Sequence, residues 1–323
     1  QSSIINAFNL FYKYCRFFFK LIRYRYKVVV TNPSLEGKGK SFYRELIFIL
    51  IAHLLNRKVI VFFRGWAEPF EEKIRKSKLI SFLFRVSYAR ANKFIVLGDV
   101  FKKKLISLGV PEETEFFIET TVADSRYIKD LDLESKFLSF EKEINFLFLS
   151  RIEKIKGIYI AIDAFNDFIN RFPERKCSLI IAGDGPDSSA VAEYVEKKMI
   201  KNIKFLGFVS GENKRKVLLE SHVMLFPSYT EGLPNTILEG MLYGMPVISR
   251  AIGGIPEVIQ QNVNCFITDS YDPLVFTEFL INIASNNTLY KNISETNHQL
   301  ALKKFTSEKV KDRIINILEG CKN

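Results

Sequence analysis

Two glutamates, Glu231 and Glu239, stand eight residues apart in FPSYTEGLPNTILEGMLYGMPVI, residues 226–248. Gly232 and Pro234 interrupt the chain after the first, and Asn235 is placed to cap a helix beginning there, so Glu231 falls in a loop and Glu239 one turn inside the helix. Both carboxylates can then face one pocket. A carboxylate in a first helical turn is also favoured by the macrodipole, which gives Glu239 a purely structural reading beside the functional one. Upstream, FLFLSRIEKIKG, residues 146–157, runs from a strand into a loop bearing Arg151 and Lys156, and Gly157 then opens a helix. Two cations five residues apart beside a helix N-terminus suit a diphosphate. A solvated strand-to-helix loop has the same composition.

Two further strand ends have the same character. In LIIAGDGP, residues 179–186, Gly183 and Gly185 allow close backbone approach to a ligand, while Asp184 or Asp187 can equally cap the following helix. FLGFVS, residues 205–210, closes a strand with Gly207, Phe208 and Val209, where a base can lie against the main chain; ordinary loop chemistry accounts for it as well. All of these groups fall at the carboxyl edge of strands, where open α/β sheets bind ligands.

Positioning them requires an α/β scaffold. Short β-branched runs at 28–30, 58–63, 93–97 and 115–119 alternate with helical stretches such as 41–56 and 71–91, and the pattern repeats with strands at 144–150, 176–182, 203–206, 222–226, 246–249 and 265–268. Helices follow from about residue 287 to the C-terminus. This order predicts two Rossmann-like, doubly wound parallel sheets. A length of 323 residues suits two domains. The charged segment 123–143 shows no clean strand, so the boundary is expected near residue 140, giving domains 1–140 and 141–323.

Apolar residues at 47% and charged residues at 26% exclude a disordered or collagen-like chain. The cysteines, Cys15, Cys177, Cys265 and Cys321, have no pairing suited to zinc or a disulfide framework, which favours a reducing compartment. With no long apolar run, and an opening QSSIINAFNL unlike a signal peptide, a cytoplasmic protein is expected. The net charge of +11 is uneven: residues 1–140 hold 25 basic and 14 acidic residues, the remainder 22 of each. Six basic residues alternate with aromatics in FYKYCRFFFKLIRYRYK, residues 11–27, with no acid between them. Such a segment suits an anionic membrane surface, or it is an ordinary helix with a basic solvated face. Aromatics on a helix rather than an exposed sheet argue against RNA, and no nucleic-acid partner is expected.

Taken together, the motifs resemble family 4 of retaining glycosyltransferases, the glycosyl transferases group 1, whose GT-B architecture has two Rossmann-like domains facing a central cleft. The match is specific over 144–260 and diffuse elsewhere. It rests on Arg151 with Lys156-Gly157, on Gly183-Asp184-Gly185-Pro186, on Gly207-Phe208-Val209, on Glu231 to Glu239, and on Gly253-Gly254-Ile255-Pro256-Glu257, five marks in the family's order. The resemblance implies that Arg151 and Lys156 hold the donor diphosphate, that Glu239 bonds the ribose hydroxyls, and that Glu231 touches the donor sugar near the reacting centre. The main chain of Gly232, Leu233, Pro234 and Asn235 would meet sugar hydroxyls or phosphate, and the base would lie near Gly207, Phe208 and Val209. A nucleotide-diphosphate sugar is then the substrate, with no cofactor and no metal implied.

The first half departs from the family pattern. A Gly-rich opening loop is absent, as if a first strand were missing or altered. A family His-Gly pair is replaced by Arg64-Gly65 in VFFRGW, and arginine cannot act as a base at neutral pH. Arg64 then binds an anionic acceptor, helps neutralise phosphate, or is structural. The loop TNPSLEGKGKS, residues 31–41, with Gly37, Lys38, Gly39 and Lys40, is expected to border the acceptor cleft. The implied activity is retaining transfer of a sugar to a saccharide or lipid-linked acceptor in cell-surface polysaccharide or glycolipid synthesis, peripheral at the inner face of the cytoplasmic membrane. The alternatives are a non-catalytic partner subunit, or a nucleotide-sugar epimerase or phosphorylase on the same fold.

Overall fold

Runs of β-branched and aromatic residues make ten parallel strands among the described residues, in two sheets, with a helix between successive strands except before the last, which a short turn at Ile255–Glu257 precedes. The computed structural model describes residues 2–34, 39–66, 68–126, 128, 131–261 and 263–320. It divides into two units, residues 1–119 with 312–323, and residues 120–311.

The first unit opens with helix α1 (Ser2–Arg23) and continues as β1 (Val28–Thr31), α2 (Lys40–Leu54), β2 (Lys58–Phe62), α3 (Glu68–Lys76), α4 (Lys78–Val86), β3 (Lys93–Val96), α5 (Asp99–Ser107) and β4 (Glu115–Ile118). Its sheet order is β1-β2-β3-β4. Val59, Ile60, Phe94 and Ile95 are fully buried, each contributing about 1.5–3 kcal/mol through removal of apolar surface from water. Tyr88 stacks on Phe42 with ring centroids 4.9 Å apart and donates its hydroxyl proton to Phe42 O at 2.7 Å. The helix expected over 71–91 is broken instead into α3, α4 and a turn at Tyr88–Arg90. Ser77 is the reason: its hydroxyl accepts the Ile80 N–H and starts α4 afresh.

The second unit holds α6 (Leu133–Lys142), β5 (Ile144–Leu149), α7 (Ile158–Arg171), β6 (Cys177–Ala182), α8 (Ser188–Lys197), β7 (Ile203–Gly207), α9 (Gly211–Glu220), β8 (Val223–Phe226), α10 (Asn235–Leu242), β9 (Val247–Arg250), β10 (Cys265–Thr268), α11 (Pro273–Ala284) and α12 (Asn287–Lys304). The last helix, α13 (Ser307–Glu319), begins here and ends in the first unit. Strand order is β10-β9-β8-β5-β6-β7. The chain therefore winds outward from β5 in one direction and returns to β8 on its other side, and an open sheet binds ligands at such a reversal, beyond the carboxyl ends of the strands.

The division falls between Glu119 and Thr120 rather than near residue 140. The charged stretch where the boundary was expected contains α6, which buries Lys136 and packs Phe137 and Phe140 into the second unit's core. Phe140 stacks on Tyr290 at 3.6 Å, and Lys136 Nζ donates to Leu218 O at 3.0 Å and Leu219 O at 3.3 Å, near the end of α9. At the other end, Arg313 Nε donates to the buried Glu119 carboxylate at 2.9 Å, fastening the final residues to the first unit. Cys15, Cys177 and Cys265 are free thiols, and Cys321 lies outside the described residues. Among the described residues no helix is long and apolar enough to cross a membrane.

Candidate active site

The strand reversal puts the loop after β5 beside the loop after β8. After Leu149 the chain passes Arg151, makes a short turn at Lys154–Lys156 and enters α7 through Gly157. Lys156 Nζ lies 2.7 Å from Glu231 Oε1, and Ser228 Oγ donates to the same oxygen at 2.9 Å. The lysine side chain is 17% exposed and the glutamate 11%, so each charge depends on the other for compensation. The two loops are tied by Tyr229 N–H to Ile155 O at 2.9 Å, and Asp187 accepts the Lys154 N–H at 2.6 Å from the α8 side. Asp187 thus restrains the lysine turn, where the sequence made it a candidate cap for α8.

The glycine pair after β9 supports Glu231 from behind. Gly253 has φ +56°, and a Cβ there would stand 2.2 Å from Glu231 O. Its neighbour Gly254 donates N–H to Gly232 O at 2.6 Å. Leu233 O accepts from Thr121 Oγ1 at 3.2 Å. Gly232, Leu233, Pro234 and Asn235 are thereby held as the entry to α10. Pro234 occupies the cap position and Asn235 is the first helical residue, with no side-chain cap bond; the expected Asn235 cap is not formed. The proline's fixed φ supplies the entry angle instead.

A cavity of about 190 Å³ adjoins this loop pair and is lined by Arg151, Gly183, Asp184, Phe208, Val209, Lys214 and Thr236, among others. Arg151 is an exposed rim residue, paired with Glu153 Oε1 at 2.9 Å, an interaction worth at most about 1 kcal/mol and readily exchanged for a ligand. Gly183 and Gly185 are required for a reason other than the expected ligand approach: a Cβ on them would meet Ser150 O at 1.8 Å and Ile152 O at 2.4 Å. They let the turn after β6 close on the Arg151 loop. The Asp184 carboxylate accepts from Ser188 Oγ and Gly185 N–H, which hold it below the usual carboxylate range. Phe208 is 77% exposed, and Gly207 has open space over its Cα.

Glu239 lies past the first turn of α10, so the macrodipole does not explain it. It is 4% exposed. Burial pushes its carboxyl upward, Lys214 works against that shift, and the Asp124 charge adds to it. Lys214 Nζ stands 2.6 Å from the buried Glu239 Oε2, a close ion pair. Each of the two expected carboxylates therefore meets a lysine at the same edge of the sheet, and Arg151 and Lys214 line one cavity. Arg64, Gly65 and Lys40 belong to the first unit. Arg64 is exposed just past the carboxyl end of β2, over the Phe62 ring at 4.7 Å; Gly65 bridges to Ser34; Lys40 is the exposed first residue of α2. Gly37 and Lys38 lie outside the described residues.

Residues 131–300, more than half of the chain, match the family model of the glycosyl transferases group 1. The chain belongs to that family. It is 28% identical over 195 residues to an N-acetyl-alpha-D-glucosaminyl L-malate synthase of Bacillus anthracis, covering 60% of this chain and 49% of the relative. It is 30% identical over 173 residues to the phosphatidylinositol N-acetylglucosaminyltransferase gpi3 subunit of Schizosaccharomyces pombe, covering 51% and 37%. The chain thus spans about half or less of the length of these curated relatives. Among solved structures, Anabaena HepE in complex with UDP superposes with a TM-score of 0.76 at 16% identity, over 95% of this chain and 82% of that one. Sucrose-phosphate synthase from Thermosynechococcus elongatus gives 0.70 at 14% identity, over 93% and 75%. The fold is accordingly GT-B, as the motifs implied.

Within this group 1 chain, two site-edge residues escaped the sequence reading. Lys214 sits in ENKRK on α9, where nothing in the local pattern separates it from Arg215 or Lys216. Arg250 ends the apolar strand β9 and is buried under Tyr271 at 3.6 Å, donating to Asp269 O and Ser270 O. A charged residue closing a buried strand is a detectable signal, and it places Arg250 behind the Ser228 loop, whose carbonyl it also reaches at 3.4 Å. Chemically, the edge offers two cations for an anion, two carboxylates for hydroxyl groups, and an exposed ring for stacking.

Proposed function

We propose that the chain is a retaining glycosyltransferase that moves a sugar from a nucleotide-diphosphate sugar to a saccharide or lipid-linked acceptor, in cell-surface polysaccharide or glycolipid synthesis. The observation that carries the reading is the Lys156–Glu231 pair at 2.7 Å, set at the strand reversal beside the Arg151 cavity. A diphosphate entering there displaces the weak Glu153 partner from Arg151 and lies beside the Lys156 ammonium, and the two cations then stabilise charge developing on the leaving group. The bond from the sugar's anomeric carbon to the diphosphate oxygen breaks as the acceptor oxygen bonds on the same face, and the departing diphosphate takes the acceptor's proton. Glu231 orients the sugar, Glu239 accepts from the ribose hydroxyls, and the base stacks near Phe208. The family match and the UDP and UDP-glucose complexes of HepE support a nucleotide-sugar donor.

The setting is the inner face of the cytoplasmic membrane. Tyr14 and Phe17 of α1 pack edge-on against Phe48 of α2 at 4.7 and 4.9 Å, and Leu21 is buried. The opposite stripe, Phe8, Tyr12, Phe19 and Ile22, is exposed and interleaved with Arg16, Lys20 and Arg23. An apolar stripe flanked by cations supports docking on anionic lipid.

The testing experiment offers the protein UDP-, GDP- and ADP-sugars with lipid-linked and free saccharide acceptors and determines the anomeric configuration of the product by NMR. A product that keeps the donor's configuration is expected. Inverted product contradicts the mechanism, and absence of product with every donor contradicts the activity.

A further inference from the structure

Lys214 belongs to none of the strand-end motifs, yet it forms part of the wall of two adjoining spaces. One is the cavity with Arg151, Phe208 and Thr236. The other, about 30 Å³, holds Glu239 with Asp124, Arg215, Leu218 and Tyr243, and has room for no more than a water. Glu239 is almost fully buried, with Lys214 Nζ 2.6 Å away. The other charges near it come from three places. Arg215, on α9, is engaged by Glu212; Asp124, ahead of α6, is engaged by Arg126; Tyr243 follows α10 and its hydroxyl is pushed up by burial to about 12. The Asp124 charge repels the carboxylate while the Asp124 backbone N–H bonds to it, and Lys214 is the cation in contact with it.

We infer that Lys214 is a positioning residue for nucleotide recognition: it keeps Glu239 ionised, so that both carboxylate oxygens accept hydrogen bonds from a vicinal diol, the ribose of a nucleoside diphosphate. This rests on the donor-site reading of Glu239 given above. A buried glutamate stripped of its lysine and left beside the Asp124 charge is driven toward its protonated form, because desolvation disfavours the charged form. One oxygen then becomes a donor facing donors, and the remaining bonds lose their charge assistance. Lys214 acts through Glu239 and does not itself touch the ribose.

The test is isothermal titration calorimetry with UDP, GDP and ADP on the full chain and on Lys214→Gln and Lys214→Arg, from about pH 7 to about pH 9, repeated with the 2′,3′-dideoxy form of the nucleotide that binds. The expected result is a loss of about 10- to 100-fold in affinity for Lys214→Gln at pH 7, the worth of two weakened charge-assisted bonds. That deficit shrinks as pH rises and Glu239 ionises, stays within about threefold for Lys214→Arg, and is absent with the dideoxy probe. Equal affinity of Lys214→Gln and the unmodified chain at pH 7 overturns the inference. So does an equal deficit with the dideoxy probe, which assigns Lys214 to the phosphates. Should Lys214→Gln fail to fold, Lys214→Met takes its place; failure of both while Lys214→Arg folds makes the lysine structural and also overturns it. These outcomes leave the donor site standing, whereas no binding of any nucleotide by the unmodified chain overturns the donor-site reading and the inference with it.

Discussion

Gly253 illustrates how a residue without a functional group can govern the site. Its left-handed backbone and the 2.2 Å separation between its missing Cβ and Glu231 O leave no room for alanine. Gly253→Ala should cost about 1–3 kcal/mol in urea unfolding, since the strained backbone and the clash add, and should lower turnover by displacing Glu231. Unchanged turnover in a folded variant would show that the loop position is immaterial. At Glu231 itself, Glu231→Gln leaves Lys156 without its ion partner in a part-buried setting; a fall of about 1–3 kcal/mol in stability is expected, discounted from the fully buried case because both side chains retain some solvent. Legibility at this scale was good where chemistry is local. The residue types at 151, 156, 231 and 239 announced cations and acids at strand ends, and the structure brings them to one edge. Lys214 was not legible, because only the fold turns one member of a basic helix toward Glu239.

Helices α6 and α9 show what a segment's charge conceals. The stretch 123–143 reads as a domain boundary by composition, but Phe137 and Phe140, three residues apart, are buried in the core of the second unit, and Lys136 is buried with them. The same packing buries His222, whose Nδ1 accepts the Asn145 N–H at 2.9 Å; the neutral ring's proton is then on Nε2, 2.8 Å from Ser139 Oγ. Burial first, then the charges of Lys136 and Arg175, depress its pKa to about 3. A folded-state value below the unfolded one contributes stability that is fully present above about pH 6.5 and is lost as pH falls toward 3. The unfolding free energy of the native chain, minus that of His222→Gln, should therefore decline across this window by a few kcal/mol, on the order expected for such a shift. Parallel curves for the two proteins would show that His222 titrates alike in both states. The break of 71–91 into separate helices was missed for a related reason: Ser77 carries the capping hydroxyl, but a helical period continues on either side of it.

At the level of the whole chain, alternation of strand and helix announced two parallel sheets, while the division at Glu119 and the return of residues 312–323 to the first unit were not legible. These depend on pairings across most of the sequence, such as Arg313 with Glu119, that no local pattern encodes. The strand order β10-β9-β8-β5-β6-β7 follows from crossover connections in the same way. Charge is the whole-chain property with a direct consequence: the excess of +11 lies in the first 140 residues, and α1 exposes part of it beside aromatic rings. Sedimentation with anionic vesicles should exceed that with neutral vesicles and weaken with salt, each basic residue near the surface contributing about 1 kcal/mol. Indifference to lipid charge would remove the membrane from the account. The central claim concerns the second unit, where positive side chains at the strand reversal stabilise a departing diphosphate. It is tested most directly by the turnover of Arg151→Ala and Lys156→Ala on the donor and acceptor found active with the unmodified protein. A loss on the order of 100-fold or more in each is predicted, and near-normal rates in both would contradict the account.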